Sequence, residues 1–141
     1  NEKILTNLLD HSYFSLLPPK SLDRNDFDFS DIRKLSVRDA AATLVAFTTT
    51  AIVRSLDYFP EPPTRWLITG GGRHNSFMMD ELSRRLEAKV LPVEEVGWNG
   101  DALEAQAFAF LAVRSLLNLP LSFPLTTGVP VELTGGDIYY R

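Results

Sequence analysis

The first apolar positions, Ile4, Leu5, Leu8 and Leu9, fall at helical spacing, so a helix is predicted over residues 2–10. The stretch Leu17-Pro18-Pro19-Lys20-Ser21-Leu22-Asp23-Arg24-Asn25-Asp26-Phe27 follows. Its two prolines disfavour helix and favour an extended path. Asp28 to Lys34 is predicted as a short helix. Ser36-Val37-Arg38-Asp39 matches a capping box, with Asp39 in the third helical position. The helix it opens should run to about Leu56, with Val37, Ala41, Leu44, Val45, Ile52 and Leu56 as one face. Thr48, Thr49 and Thr50 are poor helix formers, a weak preference that packing overrides. Phe59-Pro60-Glu61-Pro62-Pro63 stops it.

A short apolar run, Trp66-Leu67-Ile68-Thr69, then enters Gly70-Gly71-Gly72-Arg73-His74-Asn75. A helix pattern follows, with Met78, Leu82 and Leu86 on one face. Lys89 to Val93 reads as a second strand, and Pro92 should sit at its end or at an edge, since it donates no ladder hydrogen bond. Glu94 to Gly100 is a loop. Asp101 opens the next helix, predicted to reach about Leu117, with Asp101 and Glu104 as an acidic capping box. That helix is apolar nearly all round, from Ala102 through Phe108 and Phe110 to Leu116, and should be buried. Asn118 and Pro120 end it. Residues 119–130 form a proline-spaced loop, Val131 to Leu133 a terminal strand, and Gly135-Gly136 turns into Asp137-Ile138-Tyr139-Tyr140-Arg141. The alternation predicts an α/β layer with at least two parallel strands packed by helices. So small a sheet needs cover for its edge from another domain or chain. No repeat or low-complexity segment is present.

Composition narrows the picture. With 141 residues and 45% hydrophobic content, one compact domain with a real core is expected. The net charge of −4 argues against a free-standing nucleic-acid binder. No apolar run approaches the roughly 20 residues that span a bilayer, and no basic region precedes an apolar stretch as in a signal peptide. The chain has no cysteine, which excludes disulfides and thiol chemistry and suits a cytoplasmic protein. His11 and His74 lie far apart, so no metal site is predicted. The chain opens within a helical pattern without an initiator methionine, as a piece of something longer would.

The candidate chemistry centres on the glycines. A strand, a glycine turn and a helix bring bare main chain close to a phosphate or an adenosine, and the helix start adds partial positive charge. The competing reading is a tight turn that tolerates glycine. The proline loop carries Lys20, Ser21 and Arg24, which could hold an anion or a sugar hydroxyl. An ordinary solvated connection is the alternative.

Several stretches together carry a resemblance: Tyr13-Phe14 with Pro18-Pro19-Lys20-Ser21 and Arg24-Asn25-Asp26-Phe27; Gly70 to Asn75; Gly100-Asp101-Ala102-Leu103-Glu104-Ala105-Gln106-Ala107-Phe108-Ala109; Leu119-Pro120 with Thr127-Gly128; and Gly135-Gly136-Asp137-Ile138-Tyr139. In this order and spacing, over essentially the whole chain, the sequence resembles the C-terminal part of the anhydro-N-acetylmuramic acid kinases. The resemblance implies a ribonuclease H-like, actin-like ATPase lobe, one of two around a cleft. Residues 1–141 would be that single C-terminal lobe. It implies ATP and Mg²⁺ as cofactors and anhydro-N-acetylmuramic acid as substrate, in a cytoplasmic cell-wall-recycling reaction, with the missing N-terminal lobe as partner. Homodimerisation is an open option. It implies nucleotide contact by Gly70, Gly71 and Gly72. Asn75 either caps the following helix or faces the nucleotide. Glu104 matches a sugar-reaching position, against the structural role of capping partner to Asp101. Lys20, Ser21 and Arg24 match a cleft-lining loop. Trp98-Asn99 stands where many relatives resemble Ile-Asp, which leaves position 99 without an assigned role. The phosphate loop and the aspartate base belong to the first lobe, so no catalytic base is expected here. A non-catalytic nucleotide- or sugar-binding module, or a structural or dimerisation domain, are the competing functions.

Overall fold

A computed structural model describes residues 1–139. The last two residues, Tyr140 and Arg141, and the side chain of Arg24 lie outside what it describes. Helix α1 (Glu2–Leu9) is capped by Asn1, whose Oδ1 accepts from the Ile4 N–H at 3.2 Å. Helix α2 (Val37–Arg54) opens on the expected Ser36–Asp39 pair: Ser36 Oγ accepts from the Asp39 N–H and donates to the Asp39 carboxylate. A 3₁₀ turn, Ser55–Tyr58, then carries it past its last α-helical residue. α1 lies on α2 around Leu8, Ile32 and Phe47. Phe14, Phe27 and Phe29 surround Phe47, with Phe14 edge-on at 6.1 Å.

Two expectations are corrected in this half. The Asp28–Lys34 segment is not a helix over its length; only Ile32–Lys34 winds, as a single 3₁₀ turn. The Asp28 carboxylate accepts from the backbone N–H and hydroxyl of Ser30, and this local turn competes with a helix start. The inward face of α2 is also rotated from the predicted one. Val37, Ala41 and Leu44 are exposed, whereas Thr43, Phe47 and Thr49 are buried. The threonine hydroxyls donate within the helix, Thr43 to the Asp39 carbonyl at 2.6 Å and Thr49 to the Val45 carbonyl at 2.9 Å. With that donor satisfied, a threonine can be buried much as a valine is.

Strand β1 (Arg65–Ile68) pairs in parallel with β2 (Lys89–Pro92), with Arg65 opposite Lys89 and Ile68 opposite Pro92. Pro92 thus ends its strand, as its missing N–H requires. The crossover is α3 (Ser76–Arg85). Leu82, fully buried, lies with Leu86 and Val93 on the inward side. Glu81 pairs with Arg84 and Arg85, and Arg85 Nη1 also donates to Thr50 Oγ1 at 2.8 Å, tying α3 to α2.

Helix α4 (Leu103–Leu116) begins two residues after Asp101 and is not capped by it. The expected Asp101–Glu104 box does not form. Asn99 Oδ1 accepts from the N–H groups of Asp101 and Ala102 at 3.0 and 3.1 Å instead. Nor is α4 buried by this chain: Phe108 is 65% and Phe110 61% exposed, and Val113 and Leu116 are also bare. The helix ends where Asn118 takes φ +52, a left-handed conformation that asparagine tolerates. Within the proline-spaced loop a short helix, α5 (Pro124–Thr127), begins on its proline, where no N–H is needed. The predicted terminal strand reduces to one antiparallel bridge, Ser122 to Leu133.

Candidate functional site

Parallel strands present their following loops side by side at the carboxyl ends, where ligands of open α/β sheets sit. Here these loops are the glycine corner after β1 and residues 93–102 after β2. Gly70 takes φ +70, which only glycine adopts without strain, and opens the 3₁₀ turn Gly71–His74. A Cβ added to Gly70 or Gly71 would meet nothing within 4 Å, so the corner borders open space. At Gly72 the neighbour is the flexible tip of Met78, at 2.5 Å. Asn75 caps α3, its Oδ1 accepting from the Met78 N–H at 3.1 Å. Of its two roles left open by the sequence, capping is the one seen.

The corner is fastened to the start of α4. The Gly100 carbonyl accepts from Thr69 Oγ1 at 3.2 Å and from the Gly70 N–H at 3.4 Å. Arg73, with a side chain only 3% exposed, fills the space between. Its Nη1 donates to the Gly70 carbonyl at 2.8 Å, its Nε to Glu94 Oε1 at 2.9 Å, and its Nη2 to Asp101 Oδ1 at 2.8 Å. Glu94 Oε1 also accepts from the Gly100 N–H at 3.2 Å. His74 Nε2 stands 3.7 Å from Asp101 Oδ1.

This network shifts its own protonation. The hydrogen bond from Arg73 is the main cause holding the Asp101 carboxyl below its ordinary range. Glu94 is lowered first by its own backbone N–H, then by Arg73 and the Gly100 N–H. The hydrogen bond to Asp101 raises Arg73 further. Carboxyls lowered on folding stabilise the fold above their unfolded values and lose that contribution as pH falls through the folded ones. The link between corner and α4 is therefore expected to loosen only below about pH 4.5, where unfolded carboxyls begin to protonate. The protection of the Gly70 and Gly100 amides, as exchange relative to an unfolded chain at the same pH, should fall there and stay level between about pH 5 and 8. A change between about pH 5 and 8 would refute the assignment to these two carboxylates.

The other expected site residues lie apart. Lys20 Nζ donates to the carbonyls of Tyr13 and Leu16 and to the Tyr58 hydroxyl, all within 3.0 Å, and stands over both tyrosine rings. An ammonium has three protons, so this set occupies all of them. The residue holds the proline loop together. It lines a cleft of about 950 Å³ with Phe14, Trp66, Leu125 and Thr126, which takes in neither the glycine corner nor Glu104. Pro19 lies against Gly128, joining the two proline-spaced loops. Ser21 is exposed, and the backbone at Arg24 heads the 3₁₀ turn Arg24–Asp26. Glu104 is exposed on the first turn of α4, and no side chain caps that helix start. Thus the structure joins Gly70–Gly72 to the helix that bears Glu104, and leaves the Lys20–Arg24 loop elsewhere.

Arg73, Glu94, Asn99 and Gly100, to which the sequence assigned no role, build this network. The available signal was a basic residue in the turn after one strand and acids in the loop after the next, which parallel pairing brings together. Among the described residues no group of three or more His, Cys, Asp or Glu could hold a metal ion.

A glycine corner and the loop before a helix, locked together at the carboxyl ends of two parallel strands, make this a small α/β unit whose corner borders open space. Comparison makes this specific. The model of the anhydro-N-acetylmuramic acid kinases matches residues 1–141, and the chain belongs to that family. It is similar to the anhydro-N-acetylmuramic acid kinase of Rhodospirillum rubrum, 57% identical over 135 residues, covering 96% of this chain and 36% of the relative. The enzymes so named from Zymomonas mobilis and Caulobacter vibrioides are 52% and 49% identical, over 94% and 98% of the chain and 36% and 37% of their own lengths. The chain therefore spans little more than a third of the relatives it matches. Among the described residues no helix is long and apolar enough to cross a membrane.

Proposed function

We propose that this chain is the C-terminal, nucleotide-facing lobe of a cytoplasmic kinase. The reaction uses ATP and water to open the 1,6-anhydro ring of anhydro-N-acetylmuramic acid and phosphorylates the sugar at O6, in cell-wall recycling. Gly70, Gly71 and Gly72 pack bare main chain against the adenosine side of ATP, and Glu104 reaches the sugar. ATP, when bound, supplies the phosphoryl group. The residues of this chain hold and orient the two reactants; a base and Mg²⁺ ligands would come from the other lobe. The structural part played by Lys20 leaves Ser21 and Arg24 as the loop's candidates for a ligand.

The observation that supports this best is the open space beside Gly70 and Gly71, on a corner bonded to Gly100 in the loop that leads into the helix of Glu104. It also makes the test clean. A Cβ at position 71 meets no atom of this chain within 4 Å, so Gly71→Val is expected to fold and to obstruct a ligand at the corner. In the full-length enzyme this change is expected to raise KM for ATP by about tenfold and leave KM for the sugar near its original value. Glu104→Ala should instead lower kcat, or raise KM for the sugar, by about 10²-fold. Unchanged kinetics in both variants would refute the assignment.

A further inference from the structure

We infer that Arg73 is a positioning residue that sets the separation between the nucleotide side and the sugar side of the site; this rests on the reading given under Proposed function. The geometry is specific to a guanidinium. Three of its nitrogens meet three acceptors on three segments: the Gly70 carbonyl in the corner, Glu94 after β2, and Asp101 before α4. A lysine ammonium could reach one of these at a time, since it lacks the planar fork. Gly100 completes the socket. A Cβ there would stand 2.5 Å from Arg73 Nε and 2.8 Å from both Arg73 Cζ and Glu94 Oε1. The room that any other residue's Cβ would take is filled by the guanidinium.

Arg73 is nearly buried and each of its three nitrogens meets a protein acceptor, so it acts through the loops it holds. Gly70 is the corner's left-handed residue, and Arg73 bonds its carbonyl directly. Glu104 follows Asp101 by three positions, so the same side chain fixes where the sugar-side helix begins. Reactions that depend on positioning lose rate when reacting groups are misplaced by about 1 Å. Loss of Arg73 should therefore impair both reactants at once, unlike loss of Gly71 or Glu104, each of which impairs one.

The test uses the full-length enzyme with Arg73→Lys, Arg73→Gln and Asp101→Asn. Leu8→Ala, in the core between α1 and α2, serves as a destabilised control. KM for ATP, KM for sugar, kcat and Tm are measured for each. Arg73→Lys and Arg73→Gln are expected to raise KM for ATP and lower kcat, each by about tenfold. Asp101→Asn removes one arm and should shift both in the same direction by about threefold. Leu8→Ala should lower Tm and leave both KM values unchanged. If the Arg73 variants lose Tm but keep wild-type KM and kcat, as the control does, the inference is overturned. If they fail to fold, Asp101→Asn decides by the same criterion. Gly71→Val separates this from the underlying reading. An effect of Gly71→Val on ATP with silent Arg73 variants removes only the positioning role. A silent Gly71→Val removes the nucleotide site, and the positioning role with it.

Discussion

The 141-residue chain alone is expected to release no ADP above background when supplied with ATP, Mg²⁺ and anhydro-N-acetylmuramic acid. Phosphoryl transfer depends mostly on positioning and on charge stabilisation around phosphate and metal. In the proposed arrangement this chain supplies one wall of the cleft. A positioned base contributes about 10²–10⁴-fold, and holding reactants in register contributes effective molarities of about 10⁵ M or more. Losing both places turnover at least about 10⁷-fold below the intact enzyme. A coupled ADP-release assay checks it. Turnover comparable with a full-length relative would mean that base and phosphate cradle lie within these residues, and the two-lobe account would fall.

The second large effect is on stability. Leu82 is 0% exposed, on the face of α3 directed inward. Truncating a fully buried leucine removes its transfer free energy and leaves a cavity that neighbours only partly fill. Leu82→Ala is therefore expected to cost about 3–5 kcal/mol. Urea unfolding should show this as a lower midpoint with an unchanged slope. A loss below about 1 kcal/mol would mean that α3 does not pack as described. Because α3 follows the glycine corner and is tied to α2 through Arg85 and Thr50, the corner should loosen with it.

Much of the scaffold was legible because it rests on local rules. The Ser36–Asp39 cap, the Leu82–Leu86 face of α3, the glycine corner and the strand-ending Pro92 each follow from residue type and spacing. The α2 face was misread because hydrophobic periodicity scores threonine as polar. Thr43 and Thr49 satisfy their hydroxyls inside the helix and pack inward. The start of α4 was misread because two side chains could cap it. Neither does: Arg73 holds the Asp101 carboxylate, and Asn99 accepts from the N–H groups of Asp101 and Ala102, just ahead of the helix. That competition involves residues 26 and 28 positions apart along the chain, which no local pattern contains. The family motifs pointed to Gly70–Gly72 and Glu104 and contained Arg73 without giving it a role. The same resemblance grouped the Lys20 loop with the cleft, whereas in the structure Lys20 is held by Tyr13, Leu16 and Tyr58.

The uncovered side of α4 has a practical consequence. Phe108, Phe110, Val113 and Leu116 face water on more than one side of the same helix. Exposed apolar surface of this kind favours self-association and dye uptake. Prepared by itself, this segment should cloud as ammonium sulfate is added, since excluded salts strengthen apolar contact.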